Sequence, residues 1–351
     1  MNKVLKYFKD NQEKVFSKKI RAYGWQNEYD TTITSSVTKY LFEDLDIIEN
    51  IAPKGNENRD GRIREKVYVT VHDTGDADRT HTAKFWSDTV KNEYWEMGKY
   101  ECSYQYVTGN DGIYHQIPDN EIAYHAGDST MYDYKLYDTN VEGSNESPNV
   151  DISEDGYYTI DGKKTIILAP RARKTKNNEV IYDRVATKND FNSQGVLCKL
   201  IDGKYYIGET YFNNTYELIA NRGGNNNSIG IESCINEGSD IYLTWQRTAK
   251  LVAYLLYNNN LDFDSVKQHH YFSGKNCPQT MRMNNMWDIF MELVEFEYQI
   301  LKYKQDGYSV ELVCDDKDVL KNGRVNKYKD HYHFKLVSTY QNKTEEMEID
   351  V

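Results

Sequence analysis

The sequence has few cysteines, no long apolar run and no excess of positive charge, and each shortage excludes a class of protein. Its five cysteines are an odd number scattered through 351 residues, which does not make the disulfide framework of a small secreted domain. Residues 1–19 carry charged or amide side chains in every turn, so neither a signal peptide nor a transmembrane helix is visible there. Because 39% of the residues are hydrophobic, we expect a proper core that folds without cross-links.

Negative charge predominates, with 55 acidic against 43 basic side chains and a net charge of -12. Nucleic-acid binding requires concentrated Lys and Arg, so we expect no nucleic-acid partner. The same charge gives no general attraction to an anionic membrane or wall polymer, so we expect recognition through specific pockets. Because no transmembrane helix is visible, we expect no membrane insertion. The one compositional excess is 31 tyrosines, whose flat rings suit contacts with sugars.

The pattern of apolar residues divides the chain into three parts. Residues 1–45 begin with a helical pattern and continue into polar sequence, and we assign them no role. Residues 46–302 alternate strands with helices, which predicts an α/β domain with a mixed central β-sheet flanked by helices. Short strands between Asp-Gly and Asn-Asn turns predict a β-rich insertion at about residues 130–222. Residues 303–351 alternate apolar and polar side chains and predict a small C-terminal all-β module.

The α/β part contains several elements whose limits can be predicted. Strands are predicted from β-branched and alternating runs, and helices from apolar residues that recur at helical spacing. The predicted elements are a strand at 66–71 that delivers His72 at its end, a helix at about 80–92, a strand at 102–107 followed by a hairpin turn at 109–112, a strand at 227–232, a helix from the N-cap Thr244 to about 258, and a helix at about 281–304.

Histidine and cysteine side chains lie at two distant places that folding can bring together. His72 follows a predicted strand, while His269, His270 and Cys277 lie in one short segment about two hundred residues later. Two imidazoles and one thiolate make a three-ligand zinc site with a fourth position open to water. The loop before Cys277 is polar and contains Lys275, which favours a thiolate over an inert core thiol. Adjacent residues of an extended segment point to opposite faces, so only one of the two neighbouring histidines can serve, and the sequence alone does not choose.

Five separated pieces of the chain, in the right order, resemble the zinc-dependent N-acetylmuramoyl-L-alanine amidase family, the type 2 amidases that share a core with peptidoglycan recognition proteins. The resemblance covers about residues 47–128 and 222–295. It implies the fold of that family, a Zn²⁺ cofactor, peptidoglycan as substrate, and cleavage of the amide bond between N-acetylmuramic acid and L-alanine. The pieces are 58–61 leading into 71–75, 103–107, 117–118 with 121–128, 227–232, and 269–278.

The resemblance also implies a role for each residue of the site. It assigns zinc binding to His72, His269 and Cys277, acid–base catalysis to Glu232, and support of the oxyanion to Lys275. These roles agree with the chemistry, because amide hydrolysis needs an activated water, stabilisation of the oxyanion and a proton for the departing amine.

Four further positions are expected to belong to the site. Tyr104 resembles a catalytic tyrosine of the family, although the next residue is Gln105 where the family often has His. His125 resembles a position that lines the cleft, and we expect it to contact the substrate together with Thr74 and Asn227.

Two alternative functions are also compatible with this sequence. A protein with the same fold could bind muropeptides without hydrolysing them, but such a binder would lack Cys277 and Glu232, and both are present. A zinc amidase acting on another amide is the second alternative, because a long insertion commonly changes specificity. We expect action on the cell wall, after export by another route or release on lysis, as an endolysin or an autolysin. The sequence does not give the oligomeric state.

Overall fold

The structure of the protein is a computed structural model, in which the chain forms two compact units. One contains Met1–His125, Ser228–Gln268 and Asn276–Val351, and the other contains Ala126–Asn227 and His269–Lys275. The predicted three-part division of the chain stays a prediction. The described residues are 1–11, 15–127, 136–145, 148–169, 171–176, 179–185, 198–208, 224–273, 275–314, 320–321, 324–325 and 333–350.

Helices and strands alternate along much of the chain. The helices are α1 (Lys3–Asp10), α2 (Ala83–Asn92), α3 (Gly224–Asn227), α4 (Ile241–Asn259), α5 (His269–Ser273), α6 (Gln279–Met283) and α7 (Trp287–Gln305), and a 3-10 turn spans Phe263–Ser265. The strands are β1 (Ser17–Tyr23), β2 (Glu28–Thr34), β3 (Ile47–Glu49), β4 (Tyr68–Asp73), β5 (Tyr94–Trp95), β6 (Gly98–Lys99), β7 (Tyr106–Gly109), β8 (Gly112–His115), β9 (Leu136–Glu142), β10 (Val150–Ile152), β11 (Tyr157–Ile160), β12 (Lys163–Leu168), β13 (Arg171–Lys176), β14 (Glu179–Val185), β15 (Cys198–Ile201), β16 (Lys204–Gly208), β17 (Ser228–Ser233), β18 (Val266–Gln268), β19 (Glu311–Cys314), β20 (Leu320–Lys321), β21 (Arg324–Val325), β22 (His333–Tyr340) and β23 (Lys343–Asp350).

The largest sheet among the described residues has six strands in the order β18-β4-β17-β7-β8-β3. Strands β18, β4, β17 and β7 run parallel, β7 and β8 form an antiparallel hairpin, and β3 runs parallel to β8. Side chains of α4 and α7 share a core with one face of this sheet, and side chains of α2 share a core with the other. The predicted mixed sheet flanked by helices is therefore confirmed.

The alternation of side chains in β4 and β17 determines what each face carries. Val69 and Val71 of β4, and Ile231 of β17, point into the core shared with α4 and α7. Because successive strand residues point to opposite faces, His72 and Glu232 point to the other side of the sheet. Parallel pairing puts Glu232 directly beside His72 in the register.

Two predicted helix limits are wrong, each for a local reason. Helix α4 begins at Ile241, and its N-cap is Asp240, whose carboxylate accepts a 3.0 Å hydrogen bond from the Leu243 N–H. The predicted N-cap, Thr244, is instead a fully buried residue of the first turn. The predicted single helix at 281–304 is two helices, α6 and α7, because Asn285 between them has a left-handed backbone with φ of 55°.

Three residues near the predicted site also differ from their predicted local structure. The strand predicted at 102–107 begins only at Tyr106, so Tyr104 precedes it. The predicted extended segment around His269 is the start of helix α5, since the chain turns directly after β18. Asn227 ends the short helix α3, and the strand predicted from 227 begins one residue later.

The second unit is rich in strands, which confirms the predicted β-rich insertion. It contains the sheets β10-β11-β12, β13-β14 and β15-β16-β9. A separate hydrophobic cluster fills it, with Tyr158, Ile160, Tyr205 and Ile207 at its centre.

The ends of the chain contribute to one hydrophobic cluster. Val4, Leu5 and Phe8 of α1 pack with Phe296 of α7 and with residues of the C-terminal sheet β19-β22-β23. This sheet confirms the small all-β part predicted at the C-terminus. In the described parts of the chain, every helix falls short of the length and apolar character needed to cross a membrane.

A buried ion pair links the two long helices. Lys250 of α4 donates a 2.7 Å hydrogen bond to the carboxylate of Glu297 of α7, and Glu297 also accepts the Leu41 N–H at 2.7 Å. Glu297 is 3% exposed, and this burial raises its pKa although the charge of Lys250 opposes the shift. The Lys250 ammonium and the Leu41 N–H therefore take the place of water around the buried carboxylate of Glu297.

Replacing Lys250 with Met is expected to lower the free energy of unfolding by about 3–5 kcal/mol, because Glu297 would be left buried without its cation. Loss of the cation raises the folded-state pKa of Glu297 further above its ordinary value of 4.5. Below pH 4.5 the carboxyl of Glu297 is protonated in both the folded and the unfolded protein, so the variant loses little unfolding free energy there. The loss of unfolding free energy grows as pH rises from there through the folded-state pKa. Urea unfolding curves of variant and wild type at several pH values measure it.

Lys302→Met, at an exposed position of α7, is the control and is expected to change stability little. In the double variant Lys250→Met/Glu297→Gln, the amide oxygen still accepts the Leu41 N–H, so part of the stability should return. A deficit of equal size at low and high pH would contradict an uncompensated carboxylate as its cause.

Candidate active site

The site begins with two neighbouring side chains on β4 and β17. His72 is 1% exposed, and its Nδ1 lies 3.7 Å from Oε1 of Glu232. The same Nδ1 lies 3.7 Å from Sγ of Cys277. The other ring nitrogen, Nε2, lies 3.0 Å from Nδ1 of His125. Nδ1 of His72 is therefore the atom directed at both the thiol and the carboxylate.

His72, His269 and Cys277 form a group that could hold a metal ion. Each residue offers one ligand atom, these atoms lie within 4.8 Å of one another, and all three residues are buried. His269 directly follows β18, whose last residue, Gln268, pairs with Val71 of β4.

The donors suit zinc in type and in spacing. Tetrahedral zinc with a Zn–S bond of about 2.3 Å and a Zn–N bond of about 2.0 Å separates a sulfur from a nitrogen ligand by about 3.5 Å. The observed 3.7 Å between Cys277 Sγ and His72 Nδ1 is close to that value. Burial, followed by the charges of Lys275 and His270, lowers the pKa of His269 to about 3, so its imidazole is neutral at physiological pH, as a ligand must be.

Of the two neighbouring histidines, the group contains His269. His270 has its Nδ1 3.3 Å from the carbonyl oxygen of Lys275 and donates a hydrogen bond to it. The two rings diverge because both residues begin helix α5, where neighbouring side chains point about 100° apart rather than to opposite faces.

Lys275 and Tyr104 differ in charge and in exposure. Lys275 is exposed, and its charge is close enough to His269 to lower the pKa of that imidazole. Tyr104 is 2% exposed, and burial raises its pKa well above the ordinary value, with Tyr100 and Glu232 adding to the shift. Tyr104 therefore stays protonated at neutral pH, and its hydroxyl can donate a hydrogen bond.

The positions predicted to contact substrate have different surroundings. The Thr74 N–H donates to the Ser233 carbonyl oxygen at 3.1 Å, which fixes the loop after β4. Its Oγ1 is buried and has no hydrogen-bond partner among the described residues. Asn227 is 8% exposed and lies at the end of α3. The predicted roles of both residues stay predictions.

Two residues that support the site were missed by the sequence analysis. The carboxylate of Asp73 accepts the Thr280 N–H at 2.7 Å, and its other oxygen lies 3.9 Å from Cys277 Sγ, so it ties the cysteine loop to β4. Gly230 lies under the ring of His125, where a Cβ would come within 2.7 Å of ring atoms. The sequence offered a signal for Asp73, because it directly follows His72. No local feature of the sequence indicated the role of Gly230.

The family model for N-acetylmuramoyl-L-alanine amidase matches residues 64–280, well over half of the chain. The amidase CwlH of Bacillus subtilis (strain 168) is 27% identical over 157 residues, which are 44% of this chain and 57% of that protein. The amidase XlyA of the same organism is 36% identical over 70 residues, 20% of this chain and 23% of that protein. The chain thus spans little more than half the length of the first relative and under a quarter of the second.

Solved structures are also similar to this chain, at low sequence identity. The catalytic domain of XlyA has 20% sequence identity and a TM-score of 0.41, covering 71% of this chain and 99% of that chain. The Staphylococcus aureus hydrolase AmiA in complex with its ligand has 12% identity and a TM-score of 0.38, covering 74% of this chain and 86% of that chain.

The family match spans β4, β17 and the helix that follows β18, and so includes His72, Glu232, His269 and Cys277. By the extent of that match, this chain belongs to the N-acetylmuramoyl-L-alanine amidase family.

Proposed function

We propose that this chain is a zinc-dependent N-acetylmuramoyl-L-alanine amidase that hydrolyses the amide bond between N-acetylmuramic acid and the first L-alanine of the peptidoglycan stem peptide. One observation carries the proposal: a buried His–His–Cys group with ligand atoms within 4.8 Å stands beside a carboxylate, Oε1 of Glu232, 3.7 Å from a ligand nitrogen. Three protein ligands leave a fourth coordination position for water, as catalytic zinc sites do.

The proposed ligands are His72 Nδ1, one ring nitrogen of His269, and Cys277 Sγ. When bound, zinc lowers the pKa of its water to about 7 and polarises the substrate carbonyl. The buried, neutral imidazole of His269 is ready to bind without losing a proton.

Glu232 is the proposed general base and then general acid. It takes a proton from the attacking water as the new C–O bond forms at the carbonyl carbon. It returns that proton to the amide nitrogen as the C–N bond breaks, so the products are a carboxylic acid and a free amine. Its side chain is 14% exposed, which leaves it accessible to a substrate while restricting bulk water.

Lys275 and Tyr104 are proposed to act on the developing charge. The ammonium group of Lys275 lies near His269 and would stabilise the oxyanion of the tetrahedral intermediate. Tyr104 stays protonated and would donate a hydrogen bond within the same site. Thr74, whose buried Oγ1 is available as donor and acceptor, and Asn227 are proposed to bind the substrate.

The proposal includes peptidoglycan as partner and the cell wall as place of action. An assay distinguishes this function from two alternatives, a family member that only binds muropeptides and an amidase that acts on another amide. Purified protein incubated with cell walls is expected to release new amino groups without new reducing sugars. Reducing ends would mean glycosidase activity and would contradict the proposal, and release of neither product would favour the binding module.

Glu232→Gln is expected to lower kcat by about 100- to 10,000-fold, because the carboxamide keeps the shape of the side chain but cannot carry the proton. Zinc content, measured by atomic absorption, should stay at the wild-type value, since Glu232 is not a proposed ligand. Glu237→Gln is the control, at an exposed glutamate that pairs with Arg79 at 2.8 Å, and should keep full activity. Wild-type activity in Glu232→Gln would remove this residue from the mechanism.

Cys277→Ser is expected to lose most of its zinc on dialysis, because a serine hydroxyl stays protonated at neutral pH and is a poor zinc ligand. Amidase activity should fall with the zinc content. Cys102→Ser, at an exposed cysteine, serves as the control and should retain both. Full zinc content in the Cys277 variant would exclude the proposed ligand set.

A further inference from the structure

Resting on the proposed zinc site, we propose that His125 is a positioning residue for His72. It accepts the Nε2–H of His72 at its own Nδ1, and so fixes the tautomer and the orientation of that metal ligand. This differs from the substrate contact predicted from the sequence.

The two nitrogens of His72 have separate partners. Nδ1 lies 3.7 Å from both Cys277 Sγ and Glu232 Oε1, so it is the nitrogen that faces the metal position. Nε2 lies 3.0 Å from His125 Nδ1, and the ring planes meet at 86° with centroids 5.1 Å apart. A neutral imidazole that binds metal through Nδ1 carries its proton on Nε2, so His72 donates this bond and His125 accepts it.

The tautomer of His125 follows from this assignment. With Nδ1 as acceptor, a neutral His125 carries its proton on Nε2, which lies 3.5 Å from the Ser228 hydroxyl oxygen. The Thr70 hydroxyl donates to the same oxygen at 2.7 Å. A serine oxygen can accept two hydrogen bonds, so the Ser228 hydroxyl can accept from both Thr70 and His125.

The backbone of β17 is shaped to admit the His125 ring. A Cβ on Gly230 would come within 2.7–2.8 Å of three His125 ring atoms, which are the nearest atoms it would meet. Glycine at this position therefore makes room for the ring. Gly230 pairs with Thr70 in the register, two residues before Glu232 pairs with His72.

The segment that carries His125 is held by its own hydrogen bonds. The Tyr124 N–H donates to the Ser103 hydroxyl at 3.0 Å, and the Tyr124 hydroxyl donates to the Asp60 carboxylate at 2.5 Å. Gln105 accepts the Gly230 N–H at 2.7 Å and donates to the Glu121 carbonyl oxygen at 2.9 Å. Gln105, the residue that departs from the family pattern, thus ties this segment to β17.

Outer hydrogen bonds of this kind tune metal sites. A metal-binding histidine usually donates its second N–H to a carboxylate, a backbone carbonyl or a water, and loss of that partner weakens metal binding or activity about 10- to 100-fold. Here the acceptor is the imidazole of His125, which lies against the backbone of Gly230. His125 therefore acts on zinc affinity through His72 and does not need to touch the substrate.

The primary test measures zinc affinity of the full chain by competition with a chromophoric chelator. His125→Leu fills the space of the ring without offering an acceptor and is expected to raise the zinc dissociation constant about 10- to 100-fold. His125→Asn, with an amide oxygen near the position of Nδ1, should recover most of the affinity. At saturating zinc, KM for a muropeptide should stay near the wild-type value in both variants, whereas loss of a substrate contact would raise it.

His115→Leu is the matched control. This histidine belongs to the same sheet, where its ring stacks on Tyr106 at 4.4 Å and its Nδ1 lies 3.0 Å from Glu49, so zinc affinity should not change. Circular dichroism and thermal melting of every variant check that the fold is retained.

A second variant tests the same contact from the strand side. Gly230→Ala is expected to displace the His125 ring and to weaken zinc binding in the wild-type background. In the His125→Ala background the added methyl group has no ring to displace, so Gly230→Ala should have little further effect. Such non-additivity is the signature of a shared contact.

The outcomes separate this proposal from the proposed function. A wild-type chain that binds no zinc would overturn both. If the wild type binds zinc and His125→Leu binds it equally well, only the positioning role is overturned, and a raised KM would then restore the substrate contact. Additive effects of Gly230→Ala and His125→Ala would also contradict the positioning role.

Discussion

Parallel pairing of β4 with β17 is the constraint on which the site depends. The register sets Glu232 beside His72, and it is fixed by Val71, Ile231 and their neighbours, which bury the opposite face of the same strands. A shift of one residue in either strand would turn its apolar side chains out of the core and its polar side chain away from the site. Hydrophobic burial on one face of the sheet thus positions two chemically reactive groups on the other.

The other two members of the buried His–His–Cys group reach the same place by other means. His269 directly follows β18, which pairs with β4, and Cys277 precedes helix α6, whose Thr280 N–H donates a hydrogen bond to the Asp73 carboxylate. Burial of His269 lowers its pKa and keeps its imidazole neutral, which disfavours binding of a proton and leaves the ring able to bind a metal. Gly230, which has no side chain, leaves the space for the imidazole that contacts His72.

Much of the fold follows from local patterns, and the errors have local causes. The strand that carries His72 and the mixed sheet were predicted correctly, because β-branched runs and alternating polarity specify strands well. Thr244 was taken as an N-cap because it precedes an apolar stripe, but Asp240 caps the helix one turn earlier. The break at Asn285 depends on a left-handed backbone conformation, which several residue types adopt and which the periodicity of the neighbouring helices does not reveal.

The sequence by itself determined which groups are available for a metal site: two imidazoles, a thiolate and a carboxylate, on segments whose order resembles a known family. Residue spacing did not distinguish His269 from His270, and the resemblance to the family named His269. The tertiary structure places His269 in the buried group, because β18 ends and a helical turn begins at this residue. It also decided which nitrogen of His72 faces the thiol, and that His125 contacts the other. Such choices rest on distances of a few ångströms between residues far apart in the chain, and composition and spacing do not encode them.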